Sequence, residues 1–154
     1  MLSEELLGLL NAREFVYVGT SDLHGKPFVA PKLFVKAEGN FIYLVDFVFG
    51  RIWQNLKINP WISMSLMNYD NLTGYQINGV AELITSGQEY DTIVSDLGAR
   101  EVKLTAERVI QSLQKGKKHK HFEVAFPSRT VIFKIGVNEV VELAPSGALN
   151  RKKM

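Results

Sequence analysis

The spacing of apolar residues changes period several times along the chain, and each change marks an element. Leu2, Leu6, Leu9 and Leu10 recur at helical spacing behind Ser3, Glu4 and Glu5. This predicts a short amphipathic helix over 3–12, capped by Ser3, with two acids at the positive end of its dipole. The period then falls to two. Residues 14–20, 28–36 and 41–46 read as strands of a meander, joined by tight turns at 21–26 and 38–40. Gly25 suits the left-handed position of the first turn. Helical spacing returns in Arg51–Ile58 through Ile52 and Leu56, and Pro60 stops it. In 61–69, Ile62, Met64 and Leu66 alternate with Ser63 and Ser65, and residues 75–84 follow as another strand. Two helical pieces come next. One begins at Ser86 and Gly87 with a stripe of Tyr90, Ile93, Val94 and Leu97; the other runs from Thr105 as N-cap through Val109, Ile110 and Leu113. A short strand is expected at 122–126 and a long one at 129–143, with Val131, Phe133, Ile135 and Val137 on one face. Six or so antiparallel strands with a helix after the third predict a mainly β protein with helices, closed as a small barrel.

At 154 residues the chain has the length of one domain, 1–154, with a basic loop at 115–121 and a short basic tail at 146–154. There is no cysteine, which excludes disulfides, thiolate nucleophiles and cysteine-bound metal, and fits a reducing compartment. No apolar run approaches the roughly 18–20 residues of a membrane span. The acidic N-terminus lacks the basic region of a signal peptide. The expectation is a soluble cytoplasmic protein with no membrane contact. The net charge of +2 divides unevenly, −4 over 1–114 and +6 over 115–154. Lys115, Lys117, Lys118 and Lys120 could meet nucleic acid, but no aromatic residue interleaves with them, and a solvated loop with a frayed terminus is the preferred reading. His119 and His121 share a strand face without a third ligand, so no metal site is expected.

Familiar catalytic patterns are missing: there is no dinucleotide fingerprint, phosphate loop or nucleophile elbow. No catalytic side chain can be named, and any chemistry would fall to a bound cofactor. The second strand sets Val29, Pro31, Leu33 and Val35 on one face, and Phe28, Ala30, Lys32 and Phe34 on the other. Lys32 is thus a charge on an apolar face, and Pro31 should interrupt pairing. Arg51 stands in a helix's first turn, where a cation opposes the dipole unless an anion is held there. Backbone N–H groups and a guanidinium would make a phosphate site. A surface arginine without a ligand is equally consistent.

Three motifs, in order, cover about residues 3–85. They are D-x-x-G-x-P (Asp22, Gly25, Pro27) followed by Ala-Pro, R-x-x-x-N-L-x-x-N-P (Arg51, Asn55, Leu56, Asn59, Pro60), and G-x-A-E-L (Gly79, Ala81, Glu82, Leu83). The chain resembles the FMN-binding split-barrel family related to pyridoxamine 5′-phosphate oxidase. The resemblance implies a six-stranded antiparallel split barrel that forms a homodimer, with FMN at the interface. It implies that Pro31, Lys32 and Leu33 line the flavin ring, and that Val45 and Asp46 lie by the ribityl chain and ring edge. Arg51 would bind the phosphate with the Ile52 N–H, and Gln76 would reach the flavin. Asn55 and Leu56 are expected to brace the helix, and Glu82 to make a surface salt bridge.

The chain departs from the family pattern in two places. Asp46 stands where many relatives have a hydroxyl residue, so it should point away from the phosphate or pair with Arg51 or Lys32. The C-terminal residues lack the oxidase's Arg-x-His motif, so pyridoxamine phosphate is not the expected substrate. The implied activity is that of a flavin-dependent oxidoreductase with an unknown small-molecule substrate or electron donor. A deazaflavin or haem on the same fold is one alternative, and a non-catalytic module contacting nucleic acid through the lysine loop is another.

Overall fold

The structure is a computed structural model that describes residues 1–116 and 129–154. Helix α1 (Glu4–Asn11) begins where the Ser3 hydroxyl accepts a hydrogen bond from the Leu6 N–H at 3.3 Å, and its buried Leu6 and Leu10 enter the core. Strands β1 (Phe15–Ser21), β2 (Pro27–Glu38) and β3 (Phe41–Asp46) form the meander. Gly25 takes φ +76° in the first turn, where the Asp22 carboxylate accepts from the His24 and Lys26 N–H groups. Then come α2 (Arg51–Ile58), β4 (Trp61–Asn68), β5 (Thr73–Ile84), α3 (Gln88–Gln114), β6 (Val131–Leu143) and β7 (Leu149–Lys153).

All pairings are antiparallel, in the order β3-β2-β1-β4-β5-β6-β7, and β3 also pairs with β6, so six strands close into a barrel. The closing seam runs from Phe41 opposite Gly136 to Asp46 opposite Val131. Alternation fills the interior: Val16, Val18, Phe34, Leu44, Met64, Ile77, Phe133 and Ile135 are all buried in one cluster. A second cluster lies outside the barrel wall, where Ile93 and Leu97 of α3 cover Leu33, Val35, Val45 and Ile132. Leu33 and Val35 are buried beneath α3 and Phe34 between them is buried in the barrel, so three consecutive residues are covered, and the β2–β3 register shifts just there, between Phe34 and Lys36.

The structure corrects two expectations about the C-terminal half. The helical region is one continuous helix, with Thr105 exposed in its interior, because Ala99, Arg100, Glu101, Lys103 and Leu104 carry the helix through. Salt bridges Lys36–Asp96 (2.9 Å) and Lys134–Glu89 (2.8 Å) tie its first half to the barrel. Lys134, then Tyr43, hold the Glu89 carboxyl below its ordinary range by hydrogen bonding. Glu82, opposite Lys134 on the neighbouring strand, therefore makes no salt bridge of its own among the described residues.

The basic tail is not frayed. Register steps from Asn78 opposite Glu139 to Gly79 opposite Val137, leaving Asn138 as the extra residue of a bulge. There β6 changes partners: residues before the bulge pair with β3, and those after it pair with β7. The Met154 N–H donates to the Asn138 carbonyl at 2.8 Å and completes the junction. The expected strand at 122–126, His119, His121 and most of the lysine loop lie outside the described residues. Among the described residues no helix is long and apolar enough to cross a membrane.

Candidate functional site

Among the described residues, β2 beyond its hairpin with β3 has a neighbour on one side only. Residues 27–33 pair with β1, whereas pairing with β3 begins at Leu33. Pro31 sits in this one-sided stretch opposite Tyr17, and the ladder continues through it. The expected interruption does not occur, because a residue without an N–H is tolerated where one edge has no partner strand. On that edge no described strand pairs with the backbone of 27–32.

Lys32, on the face shared with Phe34, forms a salt bridge with Asp46 at the end of β3, and both side chains are largely buried. Asp46 also accepts from the Phe47 N–H at 2.8 Å. The carboxylate is thus neutralised by Lys32, one of the two partners its position called for. Four residues on, Gly50 caps α2 without a side-chain hydrogen bond, and the first turn holds no acid. The first intrahelical bond is made by the Gln54 N–H to the Gly50 carbonyl at 3.0 Å. The N–H groups of Arg51, Ile52 and Trp53 therefore have no intrahelical acceptor. Arg51 is exposed and has no ionic or hydrogen-bonding partner among the described residues. Ile52 is buried in the barrel core, so only its backbone can face a ligand.

The helix is held from below. The buried Asn55 amide donates to the Thr20 hydroxyl at 3.1 Å, and Leu56 packs into the core. Uncapped N–H groups, a positive helix end and a free guanidinium are together an anion site suited to a phosphate monoester.

Lys32, Asp46, Arg51 and Ile52 thus gather around the end of β3 and the start of α2. Leu33 and Val45 face each other across the β2–β3 pair but are buried beneath α3, and each has a partner strand on both sides. Gln76 does not join this group. It is exposed on β5, with two strands between it and β2, in the row Pro31–Tyr17–Ser65–Gln76 that crosses the outer face. Its amide donates to the Asn78 side-chain oxygen at 3.2 Å.

Sequence reasoning missed a groove of about 510 Å³ on this outer face, lined by Arg13, Phe15, Tyr17, Tyr69, Leu72 and Leu143 among others. The available signal was β1 itself, in which Phe15 and Tyr17 are large and apolar on the face opposite the core. His24 is exposed on its turn, and no group of three or more acidic or imidazole side chains among the described residues could hold a metal.

Residues 2–132 match the sequence family described as pyridoxamine 5′-phosphate oxidase. The chain belongs to that family. No curated protein sequence matches it. Solved structures extend the similarity of fold across the pyridoxamine 5′-phosphate oxidase family. A Clostridium acetobutylicum protein related to general stress protein 26 is 15% identical, with 99% of this chain and 97% of that one covered and a TM-score of 0.69. HupZ of Group A Streptococcus is 21% identical, with coverage of 97% and 99% and a TM-score of 0.67. An FMN-binding protein of Nostoc punctiforme is 12% identical, with coverage of 92% and 87% and a TM-score of 0.55. An F420 reductase (17% identical, coverage 90% and 98%, TM-score 0.58) and the Vibrio cholerae heme storage protein HutZ (15%, 96% and 99%, 0.64) share the fold.

Proposed function

We propose that the protein binds FMN and acts as a flavin-dependent oxidoreductase on a small molecule or electron partner other than pyridoxamine phosphate. The observation that carries this reading is the start of α2: an uncapped helix end with Arg51 beside it and no acid in its first turn. With Asp46 already paired to Lys32, the guanidinium is left uncompensated for a phosphate. The name of the Nostoc relative adds support. Bound FMN would supply hydride or electron exchange at its ring. Toward it, the chain would contribute Arg51 and the Ile52 N–H at the phosphate, and the one-sided β2 edge at Pro31 and Lys32 for the ring's polar rim, with Leu33 at the end of that edge where pairing with β3 begins. The Val45–Asp46 end of β3 would lie alongside.

The working form in this reading is a cytoplasmic homodimer with flavin at the interface. Val29 and Trp61 are 63% and 58% exposed on the sheet face that α3 leaves bare, apolar surface of the kind that marks an interaction site. Gln76 lies on the same face and suits a flavin bound by the opposite subunit.

Absorption spectra before and after adding FMN and desalting test the reading. The wild type should retain flavin bands that bleach on reduction, and Arg51→Ala should weaken FMN binding about 10–100-fold, the worth of a charge-assisted hydrogen bond. Unchanged affinity in that variant would remove the phosphate assignment. A protein that retains no flavin would remove the cofactor. A haem or deazaflavin spectrum would keep the fold and replace the chemistry, although His24, the only described histidine, sits on an exposed turn. Light scattering at micromolar concentration should report twice the chain mass.

A further inference from the structure

The outer-face groove has features that a bare contact surface does not require. Its walls are Phe15 and Tyr17 of β1, Tyr69 and Leu72 of the β4–β5 turn, and Leu143 at the end of β6. Arg13 is the one charged residue among the described residues lining it. Its guanidinium is fixed at the rim, donating to the Met67 carbonyl at 2.7 Å and lying 5.5 Å from the Tyr69 ring centroid. The remaining N–H groups of its five have no acceptor among the described residues. Among the described residues no carboxylate lines the groove to compete for them.

Leu72 is the only non-glycine described residue with a positive φ, +57°, and it is 60% exposed. A bulky residue in the left-handed region is strained, and its side chain gains no burial in return. Asn71 and Asn68 hold the turn that presents it, accepting from the Thr73 and Asp70 N–H groups. At about 510 Å³ the groove has the size of a small-molecule site. Tyr17 and Ser65, which line it, stand between Pro31 and Gln76 in one ladder row.

We propose that this groove binds an aromatic carboxylate, the ring lying between Tyr17, Tyr69 and Leu72 and the carboxylate on the unoccupied donors of Arg13. That this ligand is the substrate rests on the flavin reading above, because the groove adjoins the residues assigned there to the ring; the ligand class follows from the groove alone.

The probe is 2-naphthoate, with the neutral 2-naphthamide as its control, titrated calorimetrically into the full-length protein as it exists in solution. The wild type should bind the carboxylate at least 10-fold more tightly than the amide. Arg13→Gln should erase that preference while leaving amide binding within about twofold. Leu72→Gly, which relieves the backbone and removes a wall, should melt no lower than the wild type and bind both probes several-fold more weakly. A wild type that binds neither probe, or both alike, overturns the proposal, as does a preference that survives in Arg13→Gln. FMN binding, read by flavin absorbance on the same samples, reports separately: groove binding without flavin would retain the site and detach it from the flavin reading.

Discussion

Two glycines sit diagonally on the paired strands β5 and β6, Gly79 opposite Val137 and Gly136 opposite Val80, and they should respond oppositely to the same substitution. A Cβ added at Gly79 would lie 2.5 Å from the Gly136 carbonyl oxygen and 2.9 Å from a methyl of Ile135. The obstacle is the backbone of the paired strand at a bulge, which can yield only by opening the β5–β6 ladder. At Gly136 a Cβ would meet Phe41 at 3.6 Å and the Val80 carbonyl at 3.8 Å, both ordinary contacts. Neither glycine has a positive φ, so alanine is conformationally allowed at both. Removing a glycine lowers unfolded-chain entropy and stabilises by about 0.4–1 kcal/mol where the site accepts it. Overpacking costs about 1–3 kcal/mol. Gly136→Ala should therefore be neutral or stabilised by up to ~1 kcal/mol, and Gly79→Ala should lose about 1–2 kcal/mol net. At roughly 2–4 °C per kcal/mol for a chain of this size, a difference of about 1–3 kcal/mol should set the two melts about 2–12 °C apart. Urea unfolding followed by tryptophan fluorescence, with thermal melts alongside, measures this. Equal stability of the two variants, or a Gly136→Ala that is the weaker, would refute the argument that contact with the paired backbone decides the outcome.

Other perturbations test separate parts of the structure. Lys32→Met strands the Asp46 carboxylate, whose side chain is 15% exposed, and should cost about 3 kcal/mol in urea unfolding, the lower end for a broken buried pair. Lys32→Met/Asp46→Asn should recover most of that loss, whereas additive losses would show the pair to be uncoupled. Asn55→Ala leaves the buried Thr20 hydroxyl without its donor and should cost about 1–3 kcal/mol, lowering FMN affinity as α2 loosens. The Tyr75 hydroxyl is pushed up to about 12, first by burial and then by Glu5. Because its folded value lies above the unfolded value near 10, its contribution is intact below pH 10 and lost as pH rises toward 12, on the order of 2 kcal/mol. Tyr75→Phe should therefore show a shallower fall in stability across that window; identical slopes would remove the assignment.

The barrel could be read from the sequence because its alternation is strong: Ile62, Met64 and Leu66, or Val131, Phe133 and Ile135, are apolar at every second position, and all six are buried. The extent of α3 could not, since it depends on Gly98 being tolerated inside a helix, which local propensity disfavours. Nor could β7, whose residues Leu149–Lys153 are all exposed and carry no periodic apolar signal. That strand exists because β6 outruns β3 and has an edge to fill. Of the candidate site, the Lys32–Asp46 pair was foreseen as one of two pairings. The burial of Leu33 and Val45 was not, because the covering helix lies far along the chain. The groove at Arg13 combines the outer face of a strand with one left-handed leucine, neither of which forms a motif.

The seam between β3 and β6 also governs when the fold can exist. Phe41 must wait for Gly136, and Asp46 for Val131, so the barrel cannot close until β6 has left the ribosome. Until then the meander and the β4–β5 hairpin can form only an open sheet, with Ile42 and Leu44 uncovered. Premature termination before 131 should yield aggregating fragments and no smaller folded protein. A ribosome-tethered series of lengthening chains should gain protease resistance in one late step, once β6 has cleared the exit tunnel.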